Sequence, residues 1–186
     1  MRKGLSAAAV LVAVAAAGAA LAAAPTKLEH WVGDGAHIVQ RGRGYCWTGS
    51  LADARADAWR CFLGNEIEDP CFSGSAAFVL CPDGTPDSRD ALRLQLTKPL
   101  PRGQANPPGN PMRRDPWVIV TAGGAYCYRV TGATDDKAGK QLTYECAGAS
   151  ALAGSPNRTR PVWTISLLPN GTSKRYVTTA VSAVWW

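Results

Sequence analysis

Trp117-Val118-Ile119-Val120-Thr121-Ala122-Gly123-Gly124-Ala125-Tyr126-Cys127-Tyr128-Arg129-Val130-Thr131 is the stretch that decides the fold. Its first five residues are aromatic or β-branched, the composition of a strand that packs well on a pleated surface. Gly123-Gly124 supplies a turn and residues 126–131 resume the same pattern, so the stretch reads as a β-hairpin. Working outward, residues 92–97 (Leu-Arg-Leu-Gln-Leu-Thr) alternate apolar and polar, the mark of a half-buried strand. Residues 76–81 form a short apolar run that ends at Pro82-Asp83-Gly84. Residues 142–146, 162–168 and 175–186 are further strand candidates, with a turn at Pro169-Asn170-Gly171. Turns at such short intervals predict a mainly β chain, a single β-sandwich or barrel-like domain. One short helix is expected over residues 53–63, which contain good helix formers and no proline and stop at Gly64-Asn65.

The chain has 186 residues and six cysteines: Cys46, Cys61, Cys71, Cys81, Cys127 and Cys146. They follow an N-terminal segment with the organisation of an export signal. Arg2 and Lys3 precede an uncharged Ala-, Val- and Leu-rich run, and Ala20-Leu21-Ala22 places small residues where a signal peptidase reads. Residues 1–23 are therefore expected to be a signal peptide, residues 24–44 a leader, and residues 45–186 the folded domain. The expected location is secreted or extracytoplasmic, with no membrane attachment after cleavage. An even set of thiols in an oxidising compartment predicts disulfides. Local pairing is the simplest of the many arrangements: Cys46–Cys61, Cys71–Cys81 and Cys127–Cys146. No metal or other cofactor is expected, because there is no Cys-x-x-Cys and His30 and His37 fall outside the cysteine block.

The formal charge is +6, unevenly placed. Residues 53–90 hold eight acids and three bases, and residues 91–186 hold twelve bases and four acids. The expected reading is that these segments lie side by side and partly neutralise each other. Nucleic acid is not the expected partner, because the compartment is wrong and no basic run is interleaved with exposed aromatics. An envelope or extracellular protein or glycan fits better. Residues 99–116, with six prolines, read as a long exposed loop. Its Arg102, Arg113 and Arg114, together with the terminal Trp186, are the candidate interaction residues. Trp31 is a further candidate for surface work, whereas Trp47 and Trp59, beside cysteines, read as core.

No catalytic constellation is legible. There is no Gly-x-Ser-x-Gly elbow, and Glu66, Glu68 and Asp69 crowd into four residues before a proline. They read as turn and capping groups. The leading expectation is a non-enzymatic binding module at the cell envelope. A secreted protease inhibitor using residues 99–116 as bait, and a cell-wall hydrolase using the 66–69 acids, are the alternatives.

Several short motifs recur together: Tyr45-Cys46-Trp47-Thr48-Gly49-Ser50, Asp57-Ala58-Trp59-Arg60-Cys61, Gly64-Asn65, Ile67, Asp69-Pro70-Cys71-Phe72, Gly124, Cys127, Thr131-Gly132-Ala133-Thr134, Tyr144, Cys146, Pro161-Val162-Trp163-Thr164 and Trp185. In this combination residues 45–186 resemble a group of exported six-cysteine bacterial domains. The resemblance implies no activity, substrate or catalytic residue.

Overall fold

The structure is a computed structural model that describes residues 23–102, 115–133 and 136–186. Residues 1–22 of the expected signal peptide, the middle of the Pro-rich loop with Arg113 and Arg114, and Thr134 lie outside the described residues. Strands dominate. After the short β1 (Lys27–Glu29) come β2 (His37–Gly49), β3 (Ala58–Leu63), β4 (Glu66–Ser75), β5 (Phe78–Pro82) and β6 (Asp90–Leu96). The second half of the chain supplies β7 (Val118–Thr121), β8 (Tyr126–Arg129), β9 (Asp136–Lys137), β10 (Lys140–Cys146), β11 (Ala151–Asn157), β12 (Thr164–Leu168) and β13 (Val177–Trp185). The only helical element among the described residues is a 3-10 turn, Ala147–Ala149.

These strands make two closed barrels. β2 to β6 pair in chain order and close through β2 on β6. β7, β8, β10, β11, β12 and β13 do the same and close through β13 on β7. The direction of each closure follows from the strand count. In an up-and-down ring of five strands the first and last run the same way, and β2 pairs with β6 in parallel. In a ring of six they run oppositely, and β13 pairs with β7 antiparallel. Closure removes the unpaired edges that would otherwise template aggregation.

Each barrel has its own interior. The first is filled by Trp59, Val79, Leu92, Leu94 and the four cysteines of that half. Ile119, Cys127, Tyr144, Leu152, Ile165, Val181 and Val184 fill the second. A third cluster joins them: Trp31, Phe72 and Leu80 meet Trp117, Val118 and Val120, with Tyr126, Tyr128 and Trp185 packed alongside. The period-two rule explains this division. Ile119 points into the second barrel, while its neighbours Val118 and Val120 point across to the first.

The disulfides are Cys46–Cys61, Cys71–Cys81 and Cys127–Cys146, the sequence-local pairs. Each staples adjacent antiparallel strands. Cys46 lies directly opposite Cys61, and Cys146 directly opposite Cys127. Loops of this length contribute roughly 3 kcal/mol each in the chain-entropy account.

Two expectations require correction. The helix expected over residues 53–63 is a turn followed by strand β3. Trp59, Cys61 and Leu63 face inward while Arg60 and Phe62 face outward, a period of two. Pairing with β2 and β4, and the need to set Cys61 against Cys46, override local helix preference. The leader expected over residues 24–44 is built into both barrels. β1 runs parallel to the last residues of β13, and Thr26 is bonded to Val181 and Trp163. Residues 37–44 are the first half of β2.

Candidate binding face on the first barrel

The site is written in one strand. In β2, Arg41-Gly42-Arg43-Gly44-Tyr45-Cys46-Trp47 alternates glycine and cysteine with large polar or aromatic residues. Because successive side chains of a strand point to opposite faces, this places Arg41, Arg43, Tyr45 and Trp47 together on the outside. The two inward glycines are closely approached by β3. A Cβ on Gly44 would lie 1.8 Å from the Phe62 carbonyl oxygen, and one on Gly42 would lie 2.4 Å from a Leu63 methyl. A bulge between Cys46 and Thr48 leaves Trp47 opposite no partner on β3 and keeps its ring on the outer surface.

Neighbouring strands extend the face in two directions. On one side the parallel register sets Arg93 beside Arg41 and Gln95 beside Arg43. Arg41, Gly42, Arg43, Arg93 and Gln95 line a shallow cavity of about 370 Å³. On the other side Phe62 of β3 meets Tyr45 at 5.8 Å and Trp47 at 4.5 Å between ring centroids. Ile67 of β4, opposite Phe62, continues the apolar ridge and is 46% exposed, while Trp47 is 37% exposed. Lys98, just past β6, sits over the Tyr45 ring at 4.1 Å, and Arg93 sits over Phe78 at 4.1 Å.

The acids of the first half are largely engaged elsewhere. Asp53 and Asp57 face Arg55, Asp69 pairs with Arg60, and Asp90 lies 3.0 Å from His37. Asp87 accepts the Tyr126 hydroxyl at 2.8 Å, which holds its carboxyl below the usual range. Among the described residues, none of Arg41, Arg43, Arg93 or Lys98 forms an ion pair with a carboxylate. The expected neutralisation of basic by acidic segments therefore spares this face.

The 66–69 acids are not brought together as a hydrolytic pair. Asp69 and Pro70 lie inside β4, at a bulge opposite Arg60, rather than in the turn expected from their sequence. Pro70 has no N–H to give a ladder, so it fits there. The Asp69 side chain is 2% exposed and pairs with Arg60 Nη1 at 3.0 Å. It also accepts bonds from the Ser50 hydroxyl and from the Leu51 N–H. Burial pushes its carboxyl up from the ordinary value, against the pull of Ser50, Leu51 and Arg60. Ser50 in turn accepts the N–H groups of Ala52 and Asp53. Asp69 thus holds the 50–53 turn in place. Glu68, half-buried, is also pushed up, first by burial and then by Glu66 and Asp83. Glu66 is exposed.

Of the other candidates, Arg102 is exposed at the start of the Pro-rich loop, and Arg113 and Arg114 lie outside the described residues. Trp186 is half-buried. Its N–H donates to the Glu29 carbonyl, and the Arg158 guanidinium lies 5.0 Å from its ring. The tryptophan assignments reverse in part. Trp31, a candidate for surface work, is instead 2% exposed and stacks on Phe72 at 5.2 Å. Trp47, expected in the core, is the exposed one, whereas Trp59 is buried. The signal was available: a residue adjacent to an inward cysteine on a strand faces out, and a residue two positions away faces in. The same rule applied to residues 41–47 would have shown the basic and aromatic residues on one face.

No known protein family, no curated protein and no solved structure matches the chain.

Proposed function

We propose that the protein is a non-enzymatic binding module of the cell envelope and that the outer face of the first barrel is its binding surface. The observation that carries this reading is the set Arg41, Arg43, Arg93 and Lys98, without carboxylate partners among the described residues, continuous with the ridge of Tyr45, Trp47, Phe62 and Ile67, of which Trp47 and Ile67 are exposed. Unneutralised cations beside exposed aromatics form a surface that binds anions and rings together. Export is supported by the N-terminal signal pattern and by the three disulfides, which persist in oxidising compartments. The quoted motifs resemble those of exported six-cysteine domains, which is in keeping with export.

Co-sedimentation with washed bacterial cell envelopes tests the reading. The mature protein should sediment with them, and Arg41→Glu/Arg43→Glu should stay in the supernatant. Lys174→Glu/Arg175→Glu, an equal charge change on the second barrel, should sediment normally. Equal loss in both double variants, or in neither, would show that this face is not the binding surface.

A further inference from the structure

The same face carries information about its ligand. Resting on the reading above, we infer that it holds a linear acidic polysaccharide, a chain of pyranose rings bearing carboxylates.

Three features of the face point to that chemistry. First, it is the convex outside of a barrel with only a shallow cavity, so it cannot enclose a small molecule. From Arg41 to Trp47 it runs about 20 Å at the usual rise of a strand, a length that suits an extended chain. Second, its cations are spaced along that line. Arg41 and Arg43 are about 7 Å apart along β2, and Arg93 lies across the parallel pair at about 5 Å from Arg41. Guanidinium forks match carboxylates in a bidentate manner, and among the described residues none of these arginines is ion-paired with a carboxylate. Third, the aromatics form a continuous ridge rather than separate platforms. Trp47 and Tyr45 both tilt against Phe62, at 31° and 38°, and the Tyr45 ring is capped by Lys98.

That ridge separates the ligand classes. A single-stranded nucleic acid needs open ring faces on which successive bases stack. Here Phe62 lies against both Tyr45 and Trp47 and Lys98 lies over Tyr45, so the ridge is not a series of separate open platforms, and Trp47, 37% exposed, offers room for a single ring. The C–H face of a sugar ring fits such a surface. A uronate polymer supplies both a ring and a carboxylate in every unit, so it meets the arginines at one end of the face and the ridge at the other. A neutral glycan would leave the arginines without a counter-charge, and a polyol-phosphate polymer offers few ring faces to the ridge.

The test uses the mature full chain and three defined polymers: polygalacturonate, neutral dextran and oligo-deoxythymidylate. Affinity electrophoresis and isothermal titration give the affinities. Polygalacturonate should bind, dextran should not, and oligo-deoxythymidylate should bind at least tenfold more weakly. Arg41→Gln/Arg43→Gln should weaken polygalacturonate binding at least tenfold and flatten its dependence on salt. Trp47→Ala should weaken it severalfold, with Trp47→Phe restoring part of the loss. Near-ultraviolet circular dichroism confirms that each variant is folded. Equal or tighter binding of oligo-deoxythymidylate would overturn the polysaccharide assignment while leaving the face as a binding surface. Full affinity in Trp47→Ala would reduce the site to charge alone and overturn it too. Absence of polygalacturonate binding by a protein that still sediments with envelopes through this face would refute the ligand class and spare the proposed function.

Discussion

Arg60 donates from one nitrogen to two acceptors, the Asp69 carboxylate at 3.0 Å and the Thr131 carbonyl of the second barrel at 2.9 Å. It thereby ties the bulge of β4 to the neighbouring barrel, and its removal would leave the buried Asp69 without its cation, with only the Ser50 and Leu51 donors remaining. Loss of one member of such a pair costs about 3–5 kcal/mol. The proton linkage of Asp69 has a definite sign. Burial raises its carboxyl above the ordinary value of 3.8. Between that value and the raised one, the folded protein keeps a proton that the unfolded chain has released, so stability falls as pH rises through the window. Asp69→Asn cannot titrate. Urea melts from about pH 4 to about pH 7 should show a shallower fall for the variant than for the wild type. Some fall should persist, because Asp53 and Glu68 are shifted in the same direction, each chiefly by burial. Identical slopes would mean that Asp69 does not titrate in this range.

At the scale of the element, β2 is the strand on which both the fold and the site depend. It pairs with β3 and with β6 and so closes the first barrel. Its two inward glycines permit that closure to different degrees. A methyl group on Gly42 would meet the end of the flexible Leu63 side chain, which can move, whereas one on Gly44 would meet the Phe62 backbone, which cannot. Gly44→Ala should therefore destabilise by about 1–3 kcal/mol or more, and Gly42→Ala by clearly less. Chemical denaturation of the two variants checks the order, and a reversed order would contradict the closure described for β2. Much at this scale was legible beforehand. The hairpin 117–131, the alternation of 92–97 and the turn at 169–171 follow from period and turn chemistry alone, as does the mainly β class. β3 was not, because residues 53–63 have helical composition and only the partner strands impose a period of two. The site itself was half legible. The alternation of Arg41 to Trp47 is in the sequence, but Arg93, Phe62 and Ile67 join it only through the register of three other strands.

The whole molecule divides into a barrel that presents a surface and a barrel that supports it. The second barrel clamps β1 and the chain terminus and offers Val118, Val120 and Trp117 to the shared core around Trp31. Tyr126 and Tyr128 reach across to Asp87 and to the Gly84 carbonyl. The junction borders the basic and aromatic face: Arg60, which bonds the Thr131 carbonyl, lies 5.7 Å from the Trp47 ring, and Trp47 remains 37% exposed. The uneven charge of the chain acquires a meaning at this scale. The acids of residues 53–90 are mostly engaged in holding turns and the junction, and the arginines of β2 and β6 are left facing solvent. Arginine footprinting tests this account most directly. The mature protein is labelled with a dicarbonyl reagent, with and without bacterial envelopes, and mapped by mass spectrometry. The account predicts that Arg41, Arg43 and Arg93 become protected in the bound state while Arg160 and Arg175 of the second barrel label as before. Protection of the second barrel's arginines instead, or no protection on β2 and β6 in a protein that has bound, would contradict it.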